Sequence, residues 1–188
     1  MKGNHCHSDS QQTDELRLRN KQHRGSRPMT NRRTIAVVYA SFHHGNTRKL
    51  AESLAAELSA DLFSVDQIRT DNVNLDRYEL VGFGSGIYIG RHHASLLRLI
   101  ESCSQSPRRV FIFSTAGLPF LRWFQHLSLR RRLVRKGCHI VSEFCCRGWD
   151  TVGPLWLIGG INRKHPDAGD LNRAKEFARQ TIASPAIS

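Results

Sequence analysis

The segment SFHHGNT, Ser41 to Thr47, joins an apolar run to an amphipathic stretch and carries side chains suited to binding a phosphate. Ser41, Asn46 and Thr47 offer hydrogen-bond donors, and Gly45 lets the backbone curl close to a ligand. Where such a loop leads into a helix, the first backbone amides also point at the anion. The segment has neither the GxxxxGK[ST] pattern of a P-loop nor the GxGxxG pattern of a dinucleotide site. It therefore suits a monophosphate held without a metal, although the same residue types also cap helices.

Two later segments could contact an apolar or aromatic ligand. SGIYIG, residues 85–90, and TAGLPF, residues 115–120, combine aromatic and aliphatic side chains with glycines that permit sharp backbone changes. Tyr88 would equally pack into the core or protect a helix end. The sequence contains no recognisable Ser/His/Asp set or carboxylate pair, so we assign no catalytic acid or base.

The cysteines favour free thiols over a disulfide framework, because they are odd in number and unevenly spaced. The adjacent pair lacks a second pair of Cys or His residues at ligand spacing, so we assign no metal site. The five are Cys6, Cys103, Cys138, Cys145 and Cys146.

An alternation of short apolar runs and helical patterns begins at residue 34 and must position these segments. Near-continuous apolar strands separated by helices are typical of a parallel sheet covered on both faces, which predicts a doubly wound α/β domain. The first helix supports this, because Leu50, Leu54 and Leu58 form one apolar stripe. We expect strands over 34–40, 61–68, 79–86, 109–115 and 139–145, and helices over 46–59, 93–104, 121–136 and 170–182.

Ligands of open parallel sheets bind beyond the carboxyl ends of the strands, where the strand order reverses. The turn at residues 41–47 follows the first strand, which is the usual place for such a site. The spacing of elements therefore predicts a ligand at this turn.

The length and net charge of the chain indicate its domain organisation and the classes of partner to consider. The chain has 188 residues and a formal net charge of +12, so nucleic acid, acidic partners and anionic membrane surfaces all deserve consideration. Residues 1–33 are polar and net basic and predict a disordered tail, residues 34–183 form the domain, and residues 184–188 form a short tail. The sequence has no transmembrane segment and no signal pattern, and we expect the protein in the cytoplasm.

The sequence resembles the flavodoxin-like family over about residues 34–182. YASFHHGNT (39–47) is similar to the family's phosphate loop, YELVGFGSGIYIGRHHASLLRLIE (78–101) to its third strand, flavin loop and next helix, and HPDAGDLNRAKEFARQ (165–180) to the entry into its last helix. The resemblance implies a three-layer sandwich with a five-stranded parallel sheet in the order 2-1-3-4-5.

The resemblance also implies FMN as the cofactor. The phosphate would lie at the first loop, and the isoalloxazine ring between a loop at residues 85–92 and a loop at residues 115–120. The implied contacts are Ser41, Phe42, His43, His44, Gly45, Asn46 and Thr47, then Ser85, Gly86, Ile87, Tyr88, Ile89 and Gly90, then Thr115, Ala116, Gly117 and Phe120.

The chain departs from the family pattern at two points. Phe42, His43 and His44 stand where small hydroxyl residues are more usual, so a protonated imidazole could replace a hydroxyl donor. The two histidines could instead be exposed and without function. Ordinary flavodoxins are acidic, whereas this chain is basic, which puts the usual electron-transfer partners in doubt.

We expect an electron carrier or flavin-dependent oxidoreductase that works with a redox partner protein or a small-molecule electron acceptor. Residues 88–100 also resemble menaquinone-dependent protoporphyrinogen oxidase, whose substrate is hydrophobic and acidic, and the basic chain could contact anionic surfaces weakly. A different class is a flavin-free α/β binding module whose basic tail holds nucleic acid. The long segment 146–166 would cover the sheet edge or act as a lid and docking surface.

Overall fold

The computed structural model describes residues 34–42, 45–71, 73–103, 106–148, 162 and 164–183. The predicted tails, His43, His44, Cys6 and most of the 146–166 segment lie outside these residues. The strands are β1 Ile35–Ala40, β2 Asp61–Ser64, β3 Leu80–Tyr88, β4 Arg91–His92, β5 Arg109–Ala116 and β6 His139–Arg147. The helices are α1 Asn46–Leu58, α2 Val65–Thr70, α3 Ala94–Ser102, α4 Arg122–Arg135 and α5 Ala168–Ala183, with a 3₁₀ turn over Pro119–Leu121.

Five strands form a parallel sheet in the order β2-β1-β3-β5-β6. This confirms the predicted doubly wound sheet, because β6 is the fifth parallel strand along the chain. The additional strand β4 is short and pairs antiparallel with the end of β3. Strand order reverses between β1 and β3, so their carboxyl ends frame the position where ligands bind in folds of this kind.

Two apolar cores lie on opposite faces of the sheet. One contains residues of α3 and α4, with Leu96, Leu129 and Leu133 fully buried. The other contains residues of α1 and α5, including the predicted stripe of Leu50, Leu54 and Leu58. Packing of helices on both faces holds the sheet in place, and with it the strand ends that carry the candidate site.

Aromatic packing in the second core depends on glycine in β3. A Cβ added at Gly82 would lie 2.2 Å from the Phe111 ring, and one added at Gly84 would lie 2.2 Å from the Phe113 ring. The two rings of β5 therefore pack directly against the backbone of β3. Strand β3 is held closely to β5 up to the point where it enters the site.

Two predicted boundaries are wrong. The strand predicted over 61–68 ends at Ser64, because Ser64 and Gln67 form a reciprocal capping box that starts α2. The loop expected at residues 85–92 is a continuation of β3 to Tyr88, a two-residue turn and β4. Within the described ranges, no helix is both long and apolar enough to cross a membrane.

Candidate functional site

The first loop leaves the amino terminus of α1 open. Gly45 is the residue before the helix, has a left-handed backbone with φ of 66° and offers no side chain of its own to cap the helix. Among the described residues other than its chain neighbours, no atom lies within 4 Å of a Cβ added at Gly45. The first turn of α1 contains no acidic residue. The backbone amides at this end of the helix therefore face a position where an anion is favoured.

Side chains hold this loop against the neighbouring strand ends. The Ser41 hydroxyl accepts a hydrogen bond from the Arg48 amide at 3.3 Å. Thr47 and Thr115 share a buried hydrogen bond of 2.9 Å between their hydroxyl oxygens. Gly148 lies beside this pair, since a Cβ there would lie 3.0 Å from the Thr115 Cβ. The predicted phosphate loop and the end of β5 thus form one packed unit.

The predicted flavin loop is a tight hairpin between β3 and β4. Ile87 pairs with His92 and Tyr88 with Arg91, so Ile89 and Gly90 alone make the turn. Both have positive φ, 49° for Ile89 and 74° for Gly90. A β-branched residue in this region is strained, and Ile89 is also 87% exposed. Strain of this kind persists at functional positions more often than elsewhere.

Aromatic rings connect the hairpin to the first loop. The Phe42 ring lies 4.0 Å from the His93 ring, centroid to centroid, and the Tyr88 ring lies 5.4 Å from the same imidazole. A Cβ at Gly86 would approach the Tyr88 ring to 3.1 Å, so Gly86 serves ring packing and not the sharp backbone change expected of it. Phe42 is half exposed. This cluster forms an aromatic surface beside the first loop.

Ser85 fastens β4 back onto β3. Its hydroxyl oxygen accepts a hydrogen bond from the His93 amide at 3.0 Å, and its O–H donates one to the Gly86 carbonyl at 2.8 Å. The Nδ1 of His92 lies 2.9 Å from the same oxygen, which assigns its proton to Nδ1. The buried Nε2 of His92 then has no partner among the described side chains and backbone.

A second buried imidazole lies against the first. The rings of His92 and His126 are 5.0 Å apart, centroid to centroid. His126 Nε2 lies 2.7 Å from the Ser114 hydroxyl, and its Nδ1 lies 2.9 Å from Glu143, which also pairs with Arg130. We call Ser85, His92, Ser114, His126 and Glu143 the polar belt. It joins β3, β4, β5, α4 and β6 directly below the hairpin.

The surroundings of the polar belt shift the pKa values of His92 and Glu143. Burial and the neighbouring His126 hold the pKa of His92 well below its ordinary value, so His92 is neutral. Burial raises the pKa of Glu143, but its bonds to His126 and Arg130 outweigh that effect and the net pKa is lowered. Glu143 is therefore an ionised carboxylate that accepts hydrogen bonds from both partners.

The third predicted loop continues β5 at the same edge of the sheet. Thr115 and Ala116 are buried strand residues, and Ala116 accepts a hydrogen bond from the Gly148 amide at 3.1 Å. The Gly117 carbonyl accepts one from Asn162 at 3.0 Å. Phe120 lies in the 3₁₀ turn and is largely exposed. This loop is anchored at its start and open at its end.

A groove of about 490 Å³ lies beside the hairpin. Tyr88, Ile89 and Leu97 contribute apolar surface, and Arg91, Arg98 and Arg132 contribute positive charge. Glu101 also lines it and pairs with Arg132. The groove favours a ligand that is partly apolar and negatively charged.

All described members of the predicted site lie at the carboxyl edge of the sheet, in the last residues of β3 and β5 or in the segments that follow β1, β3 and β5. His43 and His44 belong to the first of these but lie outside the described residues. Apart from Ser85, the residues of the polar belt were not predicted from the sequence. One signal was available: His126 occupies the position on α4 that continues the apolar stripe of Leu129 and Leu133.

The cysteines and acidic clusters of the described chain suit structural roles. Cys103, Cys138, Cys145 and Cys146 are free thiols. Burial raises the pKa of Cys145 to about 11 and raises that of Cys146 too, which disfavours thiolate chemistry. His165, Asp167 and Asp170 lie close enough to hold a cation. Buried Asp170 already accepts from His165, Arg173 and the Asp167 amide, so the cluster stabilises the start of α5.

Comparisons with known proteins agree with this geometry. A family model described as a flavodoxin domain matches residues 36–118. An uncharacterised protein of Methanocaldococcus jannaschii is 44% identical over 146 residues, which cover 78% of this chain and 96% of that protein.

Solved structures with the same fold include a flavodoxin from the domain Archaea, with a TM-score of 0.55 and 16% identity over 80% of this chain and 96% of the other. Oxidised flavodoxin 2 from Bacillus cereus has a TM-score of 0.56 and 17% identity, and the match covers 80% of this chain and 98% of the other. The Trp repressor binding protein from Bacillus subtilis has a TM-score of 0.57 and 17% identity, and the match covers 77% of this chain and 97% of the other. At such identities the likeness shows the fold.

Proposed function

Because this chain belongs to the flavodoxin-like family, we propose that it binds FMN at the carboxyl edge of its sheet and carries electrons or acts as a flavin-dependent oxidoreductase. When bound, FMN supplies one-electron and two-electron chemistry. The chain's own residues bind it, orient it and limit the access of water.

The observation that carries the proposal is the open position above Gly45 at the start of α1. An FMN phosphate is a dianion, and the groups around this position are donors: the first amides of α1 and the Ser41 hydroxyl. Within the described loop no carboxylate opposes it. The donor set fits a phosphate, and Gly45, Asn46 and Thr47 would hold it.

The ring would contact the hairpin and the turn after β5. Ile89, Tyr88 and Phe120 offer apolar and aromatic surface, and Phe42 and His93 extend it toward the first loop. A planar heteroaromatic ring is stabilised by stacking and apolar contact on such a surface. Ser85 acts as a positioning residue, because its hydroxyl holds β4 and His93 in place.

The groove beside the hairpin supports a reaction partner with negative charge. Arg91 and Arg98 line it next to Tyr88 and Ile89, so a small anionic acceptor or an acidic surface of a redox protein would be attracted there. An acidic flavodoxin differs in this respect, because its negative charge attracts partners with positive charge.

Two glycine substitutions test the phosphate loop. Gly45→Ala and Gly137→Ala each place a Cβ on a left-handed residue with open space around it, so both add similar backbone strain. Only Gly45 faces the proposed phosphate. After reconstitution with FMN and gel filtration, we expect wild type and Gly137→Ala to retain yellow flavin, and Gly45→Ala to bind FMN at least about tenfold more weakly.

Circular dichroism of both variants checks that they fold. Equal flavin retention by Gly45→Ala and Gly137→Ala would contradict the proposed phosphate position. A folded wild-type chain that takes up no FMN would contradict the proposed function itself.

A further inference from the structure

Helix α4 is apolar on two sides. Its inner side packs on the sheet through Leu129 and Leu133, which are fully buried. On its outer side and in the preceding turn, Phe120 is 74%, Trp123 66% and Phe124 75% exposed. Three exposed aromatic residues within five positions are unusual for a helix whose core-facing stripe is already packed.

The sequence around these aromatic side chains is basic. The sequence contains no Asp or Glu between Glu101 and Glu143, whereas the same stretch contains Arg108, Arg109, Arg122, Arg130, Arg131, Arg132, Arg135 and Lys136. Arg130 and Arg132 pair with Glu143 and Glu101. Arg122, Arg131 and Arg135 are exposed on the helix. We call Phe120, Trp123, Phe124, Leu127, Arg131 and Arg135 the α4 face.

We propose that the α4 face binds the surface of an anionic phospholipid bilayer. Helices that lie in the plane of a membrane interface bury aromatic and aliphatic side chains among the lipid headgroups and direct arginines to the phosphates. A 14-residue helix is about 21 Å long, shorter than the roughly 30 Å hydrocarbon core, so α4 would lie on the bilayer and not cross it.

The composition of the face favours lipid over other partners. A protein docking surface usually has a polar rim with donors and acceptors of both signs, and the described residues of this face supply only apolar and cationic groups. A nucleic-acid duplex would engage the arginines through its phosphates but leave the three aromatic rings without apolar contact, because its bases are stacked inside. The guanidinium carbon of Arg130 lies 5.0 Å from the centre of the Trp123 ring and holds the indole at the protein surface. Tryptophan is enriched at membrane interfaces.

Membrane binding would also affect the proposed flavin site. The turn after β5 leads directly into α4, and Phe120 belongs to both the α4 face and the proposed ring contact. A docked chain would therefore present this edge to substrates or electron acceptors dissolved in lipid. This consequence rests on the proposed function, whereas binding to vesicles does not, so the two can fail separately.

Vesicle sedimentation of the full chain tests the proposal. The vesicles are phosphatidylcholine alone, or phosphatidylcholine with about a quarter phosphatidylglycerol. We expect wild type to bind the anionic vesicles and not the neutral ones. The triple variant Phe120→Ser, Trp123→Ser, Phe124→Ser should bind at least about tenfold more weakly, because three interfacial side chains are lost.

Charge variants separate this face from general attraction of a basic chain. Arg131→Gln with Arg135→Gln should weaken binding several-fold. Lys49→Gln with Lys175→Gln removes the same charge from α1 and α5, whose layer covers the other face of the sheet, and should bind like wild type. Quenching by nitroxide-labelled lipid should fall when Trp123 is replaced by Phe.

Several outcomes would overturn the proposal. The first is absence of wild-type binding to anionic vesicles. The second is an equal loss of vesicle binding in the arginine double variant and the lysine double variant. The third is binding by the folded triple variant at the wild-type level. The last would assign membrane attraction to the rest of the basic chain. A wild-type dimer that the triple variant converts to monomer, without vesicle binding, would assign the face to a second copy.

Discussion

Ile89 shows how a single residue departs from what its sequence predicts. The pair Ile-Gly is not a usual turn signal, because a two-residue hairpin turn needs positive φ at both positions and a β-branched residue resists it. The sequence therefore predicts a loop at residues 85–92, and the structure has a hairpin. We propose that the exposed Ile89 side chain contacts the flavin ring.

Replacing Ile89 by Gly should separate stability from flavin binding. The left-handed backbone costs a non-glycine residue about 1–2 kcal/mol, so the variant should lose part of that strain and unfold at higher urea, in spite of the entropy that glycine adds to the unfolded chain. Loss of the apolar side chain should weaken FMN binding several-fold. Urea denaturation and flavin fluorescence titration measure the two effects.

Ser59→Gly is the matched control. Ser59 has the same φ of 49° at the end of α1 and does not belong to the candidate site. It should change stability in the same direction and leave FMN affinity unchanged. Undiminished affinity in Ile89→Gly would mean that Ile89 makes no ring contact.

Elements were predictable where one local pattern decides them. Alternating apolar runs and helical stripes indicate five parallel strands and the helices between them, and the structure confirms this order. Strand β2 was predicted too long although the sequence SVDQ contains the Ser-x-x-Gln pattern of a capping box. The apolar residues Val65 and Ile68 fit a short helix as well as a strand, so the cap decided the boundary.

The polar belt was not predictable, because it depends on contacts between elements distant in sequence. His126 and Glu143 are seventeen residues apart, and His92 comes from a strand that the sequence did not indicate. Such contacts follow from the tertiary register of β3, β5 and β6. Only the position of His126 within an apolar stripe marked it in advance.

The belt predicts a dependence of stability on pH. Unfolded His92 gains a proton as pH falls below about 6.5, whereas the folded chain keeps it neutral because of burial and the facing ring of His126. The unfolded state then binds more protons, so stability is full above that pH and declines below it. His92→Asn keeps a donor toward Ser85 and removes the titration, so its stability should decline less steeply.

Urea denaturation between about pH 5 and pH 8 measures this difference, which reaches at most about 1.4 kcal/mol per pH unit for one group. Glu143 and Arg130 face His126 in both proteins and contribute equally. His139→Asn, at an exposed histidine, should follow the wild-type curve. Identical slopes for wild type and His92→Asn would show that His92 is protonated in the folded chain without cost.

The whole molecule combines a flavodoxin-like fold with a net charge of +12. The family and the carboxyl edge that holds the candidate residues were predictable, because the phosphate loop and the alternation of elements are local in the sequence. The α4 face was not, since exposure of Phe120, Trp123 and Phe124 depends on which side of α4 packs on the sheet. The sequence predicts one loose apolar stripe of Leu121, Phe124, Leu127 and Leu133, whereas the structure buries only Leu133 of these four.

The measurement that tests the account most directly is a parallel titration of the full chain with FMN and with riboflavin, followed by flavin fluorescence. The two ligands share the ring and differ by the phosphate. If the open end of α1 holds that phosphate with charge-assisted hydrogen bonds, FMN should bind at least about a hundredfold more tightly. Equal affinities, or no binding of either ligand by the folded chain, would contradict the account.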